Sequence, residues 1–195
     1  MAPLKITVLF FHPYPRRSKT NRILWRAIQD CEGVESRDLY ELYPDFSIDV
    51  EREQEVLLKA DVIVFQHPLY WYSCPSLMKE WIDTVLEKGW AYGPGGNYLQ
   101  GKYWQQVITS GGTPSTYTRL GDNRFSIFEF LRPFEQSAKL CGMIPLTPFI
   151  THSARNLSDE VRHQKASTYR EMLIDMARGK LPTSYNTEQG EEIQL

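Results

Sequence analysis

Lys5-Ile6-Thr7-Val8-Leu9-Phe10-Phe11 is a nearly unbroken apolar run rich in β-branched and aromatic residues. A strand with one wet face alternates apolar and polar residues. A run without alternation belongs to a strand covered on both faces, the habit of parallel sheets. His12-Pro13-Tyr14-Pro15 ends the run, because proline has no N–H to give to a ladder. The same signature returns at Asp61–Gln66 (DVIVFQ), followed by an aromatic loop from His67 to Pro75, and at Tyr103–Thr109 (YWQQVIT). Weaker strands are predicted over Val34–Tyr40 and Pro145–Thr151. Helical spacing fills the gaps. Asn21–Cys31 places Ile23, Leu24, Ala27 and Ile28 on one face, with Gly33 closing it. Val50–Lys59 turns Val56 and Leu57 inward, and Glu51, Glu53 and Glu55 read as its solvated face. Ser76–Lys88, Phe125–Leu140 and a helix N-capped by Ser158 and running to about Gly179 complete the set. Gly89–Gly101 reads as a long surface loop. Five alternations of strand and helix define a doubly wound α/β sheet with right-handed crossovers.

The 195 residues suit one domain, a size at which roughly 70% of the unfolded surface is buried. Residues 1–182 are taken as that domain and 183–195 as a polar, acidic tail. The formal net charge of -2 gives no reason to expect a nucleic-acid partner, which would call for a basic excess. Arg16-Arg17-Ser18-Lys19 is a local basic patch. No apolar run approaches the ~20 residues needed to cross a bilayer. Met1–Phe11 lacks the cleavage site of a signal peptide. Cys31, Cys74 and Cys141 have neither the number nor the spacing of a disulfide framework or zinc site. A reducing cytoplasmic setting is expected.

In such sheets ligands sit beyond the carboxyl ends of the strands. After the first strand come His12, Arg17, Ser18, Lys19, Thr20 and Asn21 at a helix start. Free N–H groups and the helix dipole there attract phosphate, and His12 and Arg17 are candidates to add charge. Neither a Walker lysine motif nor GxGxxG is present. Taken alone, an ordinary capped helix is the simpler reading. After the third strand, Pro68-Leu69-Tyr70-Trp71-Tyr72 puts three aromatic rings in succession on a loop, which suits a planar heterocycle. After the fourth, Thr109-Ser110-Gly111-Gly112 lets backbone approach a ligand closely, and Tyr117 follows. Three such loops at the ends of three strands weigh more than any one. Elsewhere the simpler readings hold: His152 and His163 at the surface, Cys74 inert, and Trp25 and Trp81 as packing residues.

These segments resemble the flavodoxin-like NAD(P)H:quinone oxidoreductases. Within them the chain is similar to the ancillary subunits of glutathione-gated potassium efflux systems, the KefF/KefG type. The resemblance covers about residues 4–180. It rests on His12-Pro13, Asp38-Leu-Tyr-x-x-Tyr43-Pro-Asp-Phe46, Gln66-His67-Pro-Leu-Tyr-Trp-Tyr-Ser-Cys-Pro75 with Lys79-Glu-Trp81-Ile-Asp83, and Gly89–Gly112. It implies a flavodoxin-like five-stranded parallel sheet of order 2-1-3-4-5 with helices on both faces, and a homodimer. By position His12, Ser18, Lys19, Thr20 and Asn21 would hold the phosphate of FMN. Pro68, Leu69, Tyr70, Trp71 and Tyr72 would line its ring, Thr109, Ser110, Gly111 and Gly112 would hold the pyrimidine edge, and Tyr117 would stand near the hydride path. FMN is favoured over FAD because FAD-binding relatives tend to be longer. NAD(P)H would be the donor and a quinone the acceptor. Some quinone reductases carry a histidine shortly after this tyrosine. Here none lies between His67 and His152, so the spacing does not support a Tyr–His relay. His67, where many members have phenylalanine, reads as a packed structural residue.

Two functions follow from the resemblance. One is an FMN-dependent NAD(P)H:quinone oxidoreductase. The other is a regulatory subunit docked on the cytoplasmic domain of a potassium efflux antiporter, which would place it peripherally at the inner membrane. A flavodoxin-like electron carrier is a third, weaker alternative.

Overall fold

The computed structural model describes residues 3–184. Strands β1 (Ile6–Phe10), β2 (Val34–Asp38), β3 (Val62–Pro68), β4 (Tyr103–Thr109), β5 (Ile144–Pro145) and β6 (Phe149–Thr151) form one sheet of order β2-β1-β3-β4-β5, with β6 also paired to β4. Every pairing is parallel, with Phe10 opposite both Asp38 and Gln66 and Pro68 opposite Thr109. The predicted last strand over Pro145–Thr151 is two short strands that share the fifth position. The helices are α1 (Lys19–Arg26), α2 (Leu39–Leu42), α3 (Val50–Lys59), α4 (Ser76–Val85), α5 (Ile127–Leu140) and α6 (Asp159–Ala177).

The pleat sorts the core. Ile6, Val8, Val62, Val64 and Val107 face α1 and α6, packing with Leu24, Ile28, Tyr169, Leu173 and Met176. Leu9, Phe11, Ile63, Phe65 and Ile108 face the other way, against Leu57, Leu77, Trp81, Leu131 and Phe134 of α3, α4 and α5. Burial on both faces is why β1 and β3 show no alternation. Ends are set locally. Ser158 accepts from Val161 N, as its N-cap role requires, and Ser126 with Glu129 forms a capping box on α5.

Several sequence expectations change. The helix predicted over Asn21–Cys31 is α1, which starts earlier and ends at Arg26; turns follow it, and Gly33 at φ 79° serves the entry to β2 instead. β3 runs on through His67 and Pro68, so these belong to the sheet and the loop begins at Leu69. Glu53 is not on a solvated face. It is fully buried, and its carboxylate accepts from Tyr43 OH at 2.7 Å, from Trp81 Nε1 at 2.9 Å and from Arg37 in a short ion pair. Thr183 and Ser184 pair with Thr147 and Leu146. The rest of the expected tail, from residue 185, lies outside the described residues.

Candidate functional site

The carboxyl ends of β1, β3 and β4 open into one cavity of about 690 Å³. Its first wall is the β1–α1 connection. His12 is buried, and its Nδ1 accepts from Tyr14 N at 3.1 Å, which leaves the proton on Nε2. Burial lowers its pKa to about 4. His12 therefore offers a neutral N–H donor at pH 7 and not the charge expected of it. Pro15–Arg17 form a single 3-10 turn, and the Arg17 guanidinium lies 5.8 Å from the Tyr14 ring centre. Ser18 caps α1 by accepting from Asn21 N at 3.2 Å.

A buried polar chain beneath the cavity fixes the wall to the sheet. Asn21 Nδ2 donates to Thr109 Oγ1 at 2.7 Å, Gln66 Nε2 donates to Asn21 O at 3.3 Å, and Tyr169 OH donates to Gln66 Oε1 at 3.2 Å. Burial holds Tyr169 far above the usual phenol range, so it stays a donor. Asn21 lines the cavity, and its Oδ1 finds no hydrogen-bond partner among the described residues. An orphaned buried acceptor beside a cavity is the condition a bound group can relieve.

The second wall follows β3. Leu69 N donates to Thr109 O at 2.8 Å, and Tyr70 pairs with Ser73 across a tight turn. The two central residues, Trp71 at φ 49° and Tyr72 at φ 60°, are both left-handed. Bulky residues rarely adopt that region, and each costs of order 1–3 kcal/mol. The turn points the Trp71 ring out of the protein, 93% exposed, while Tyr72 leans on Phe130 at 4.9 Å. Pro68, Leu69 and Tyr70 line the cavity; Trp71 and Tyr72 do not. Cys74 is half-buried with its thiol pKa raised by burial, so it is not poised as a nucleophile.

The third wall is Thr109–Gly111. Ser110 N donates to Thr151 O, and Ala154 N donates to Ser110 O, both at 2.9 Å. A Cβ placed on Gly111 would meet nothing within 4 Å, whereas one on Gly112 would come within 2.5 Å of Thr116 Oγ1. Gly111 thus leaves room for a ligand, and Gly112 makes room for the 114–117 turn. Gly112 and Tyr117 lie outside the cavity lining.

His152 is a correction. It is half-buried, with part of its ring turned from solvent. Its Nδ1 is 3.0 Å from Ser110 Oγ, and its ring is 5.5 Å from that of Tyr117. The Tyr–His pair that the spacing argued against is assembled by the fold from the segments that follow β4 and β6. Burial lowers the His152 pKa, so a neutral ring faces Tyr117.

Ala154 and Arg155 form a fourth bank with no sequence signal. Thr20 explains their position. Its hydroxyl is buried, donating to Ala154 O at 2.6 Å and accepting from Arg162 Nε at 3.2 Å. Thr20 therefore ties the cavity together from behind. Among the lining residues Arg17, Lys19 and Arg155 are cationic and none is acidic.

A parallel sheet of this order, with a cationic cavity at its switch in strand order, defines a class. The chain belongs to the flavodoxin-like fold family, whose model matches residues 4–173. It is 48% identical over 171 residues to the glutathione-regulated potassium-efflux system ancillary protein KefG of Serratia proteamaculans (strain 568), covering 88% of this chain and 93% of that protein. Among solved structures, general stress protein 14 of Treponema denticola in complex with FMN superposes with a TM-score of 0.83 at 33% identity, covering 89% of this chain and 99% of that one. An NADPH-quinone reductase from P. pentosaceus superposes with a TM-score of 0.77 at 29% identity, covering 86% and 96%.

Proposed function

We propose that the chain is an FMN-dependent NAD(P)H:quinone oxidoreductase. The observation that carries this is the cationic cavity at the ends of β1, β3 and β4, with aromatic and apolar residues on one side and hydroxyls and a glycine on the other. The residues present fit the cofactor. Ser18, Lys19 and the free N–H groups of the first turn of α1, backed by Thr20, suit a phosphate. Neutral His12 supplies an Nε2–H, and Asn21 Oδ1 an unpaired acceptor. Pro68, Leu69 and Tyr70 suit one face or edge of the ring, and Thr109, Ser110 and Gly111 its polar edge. Trp71, Tyr72 and Gly112 are proposed as outer contacts. When bound, the flavin supplies two-electron hydride chemistry. The chain would bind it, close off the cavity floor through the Asn21–Gln66–Tyr169 network, and hold the Tyr117 ring 5.5 Å from that of His152. FMN, as in the Treponema relative, is favoured over FAD. We expect Tyr117→Phe to lower kcat/KM for a quinone about tenfold, the cost of one hydrogen bond to developing charge, with FMN retention unchanged. An unaltered kcat/KM would remove Tyr117 from the mechanism.

A second reading is carried by the 48% identity to the potassium-efflux ancillary protein. The chain would then dock on a cytoplasmic antiporter domain as a regulatory subunit, with or without turnover. No helix among the described residues is long and apolar enough to cross a membrane, and we propose a cytoplasmic protein, peripheral if it docks. A homodimer is proposed as well, through the face bearing Trp71, Tyr72, Leu120 and Phe125, all exposed.

The test is an absorbance spectrum after FMN loading and desalting, then anaerobic NADH or NADPH, then a small quinone. Flavin that stays bound, bleaches with a nucleotide and recovers with quinone supports the oxidoreductase. Flavin that stays but never bleaches favours the regulatory reading, which co-elution with the antiporter domain then checks. Failure to retain flavin overturns both the cofactor and the site residues.

A further inference from the structure

The cavity holds more positive charge than the flavin phosphate requires. A phosphate monoester carries about −1.5 to −2 at neutral pH, yet Arg17, Lys19 and Arg155 all line the cavity without a carboxylate. The chain as a whole carries -2, so this is a local reversal of sign. Arg17 and Lys19 flank the N-cap of α1, where the flavin phosphate is proposed to sit. Arg155 comes from the opposite bank, between β6 and α6.

That bank is rigidly built. Arg155 O accepts from Arg162 Nη2 at 3.2 Å, and Ala154 O accepts from Thr20 Oγ1 at 2.6 Å. Arg162 is only 4% exposed and is held in turn by Asp159 Oδ1 at 2.6 Å and Thr20. Its charge is thus spoken for. The side chain of Arg155 is exposed, and no carboxylate among the described residues pairs with it. Arg155, Tyr70 and Tyr14 line the same cavity. Tyr14 is 62% exposed and already has Arg17 against its ring. A largely exposed aromatic ring with an unpaired guanidinium on the opposite bank is suited to a purine and a phosphate together.

We propose that Arg155 and Tyr14 form a second phosphate subsite at the mouth of the cavity, whose ligand is an adenine nucleotide bearing a 2′-phosphate. This rests on the oxidoreductase reading and deepens it: the electron donor is the 2′-phosphorylated dinucleotide, not its unphosphorylated counterpart. The pyrophosphate common to both donors carries one charge per phosphorus. The 2′-monoester approaches two, and it presents the oxygens that an arginine fork pairs best.

The test is calorimetric titration of the flavin-loaded full chain with 2′,5′-ADP and with 5′-AMP, at low and high salt, for the native protein and for Arg155→Met. The expected result is that 2′,5′-ADP binds about tenfold or more tightly than 5′-AMP. That ratio falls with salt and is largely lost in R155M, with Arg155→Lys between. Equal binding of the two probes by the native protein, or a ratio that survives in R155M, overturns the subsite. Flavin absorbance is read on the same samples. A native protein that keeps FMN but shows no ratio overturns the subsite alone, and one that keeps no FMN overturns the oxidoreductase reading with it. If R155M alone loses FMN, Arg155 serves the flavin phosphate and the subsite is again overturned.

Discussion

Glu53 shows how one side chain can be misread and why it matters. Its carboxylate satisfies Tyr43, Trp81 and Arg37 at once, joining β2, α3 and α4. Burial, and then contact with the Glu53 carboxylate, push the Tyr43 pKa well above the usual phenol range, so that hydroxyl is only ever a donor. Removing one partner of a buried pair leaves the other charge unpaired, at about 3–5 kcal/mol. Glu53→Ala should lose stability on that scale in urea unfolding; a loss under about 1 kcal/mol would mean that water replaces the carboxylate. The inward position was present in the spacing. Glu53, Val56 and Leu57 stand at i, i+3 and i+4 on one face, whereas Glu51, Glu53 and Glu55 do not share a face. Its partners Arg37 and Trp81 are distant in sequence, and nothing local announces them. His152 escaped for the same reason, since only the pairing of β4 with β6 brings it to Ser110. The two buried histidines make a pH prediction. Burial lowers both His12 and His67 from 6.5 to about 4. Between those values the unfolded chain binds the protons that the folded chain refuses, so stability falls as pH drops from about 6.5 toward 4. His67 Nδ1 faces Pro68 O at 3.0 Å, and its Nε2 has no hydrogen-bond partner among the described residues. His67→Phe should therefore keep or raise stability at pH 7, by up to about 2 kcal/mol, and flatten the acid slope. An unchanged slope of urea midpoint against pH would show that His67 does not contribute.

At the scale of elements, legibility followed burial. β1, β3 and β4 were plain because both of their faces are covered, and α3 because its caps and apolar pair agree. The last strand was blurred because Thr147-Pro148 interrupts a continuous-looking run, and its two halves pair separately with β4. The three loops after β1, β3 and β4 were legible as loops, but which of their side chains enter the cavity was not. The left-handed backbone at Trp71 and Tyr72 decides that Tyr70 faces in and Trp71 out. Gly112 is the comparable decision in the third loop. A methyl there would sit 2.5 Å from Thr116 Oγ1 and 3.0 Å from the Tyr117 ring. Gly112→Ala should displace the 114–117 turn and cost about 1–3 kcal/mol. On the oxidoreductase reading, quinone kcat/KM should fall more than FMN affinity does, since the cavity lining ends at Gly111. A variant with native stability and kcat/KM would show that the turn yields freely.

At the scale of the molecule, the exposed rings are unevenly distributed. Tyr72 and Phe125, both exposed, pack on Phe130, and next to them in the chain stand Trp71 at 93% exposure and, five residues before Phe125, Leu120 at 101%. Apolar surface of this kind is normally covered. If a second copy covers it, Leu120→Asp should weaken association at least about tenfold in sedimentation equilibrium, with the fold intact by circular dichroism. A monomeric native protein, or a dimer indifferent to the change, would remove this face as the interface. The family was readable because its motifs sit at strand ends; the fourth bank was not, because Arg155 reaches the cavity only through Arg162 and Thr20.

The Thr20–Arg162 bond spans 142 positions along the chain. On the ribosome, residues 12–21 emerge well before the part that locks them in place. Until α6 has cleared the exit tunnel, the first turn of α1 lacks its buttress and Gln66 lacks Tyr169. The cavity of a half-made chain therefore lacks the contacts that brace its first wall. On the proposed function, cofactor capture would be a late event of biogenesis, and a message truncated before α6 would yield a polypeptide with most of the sheet but without the Thr20–Arg162 and Gln66–Tyr169 bonds behind the cavity.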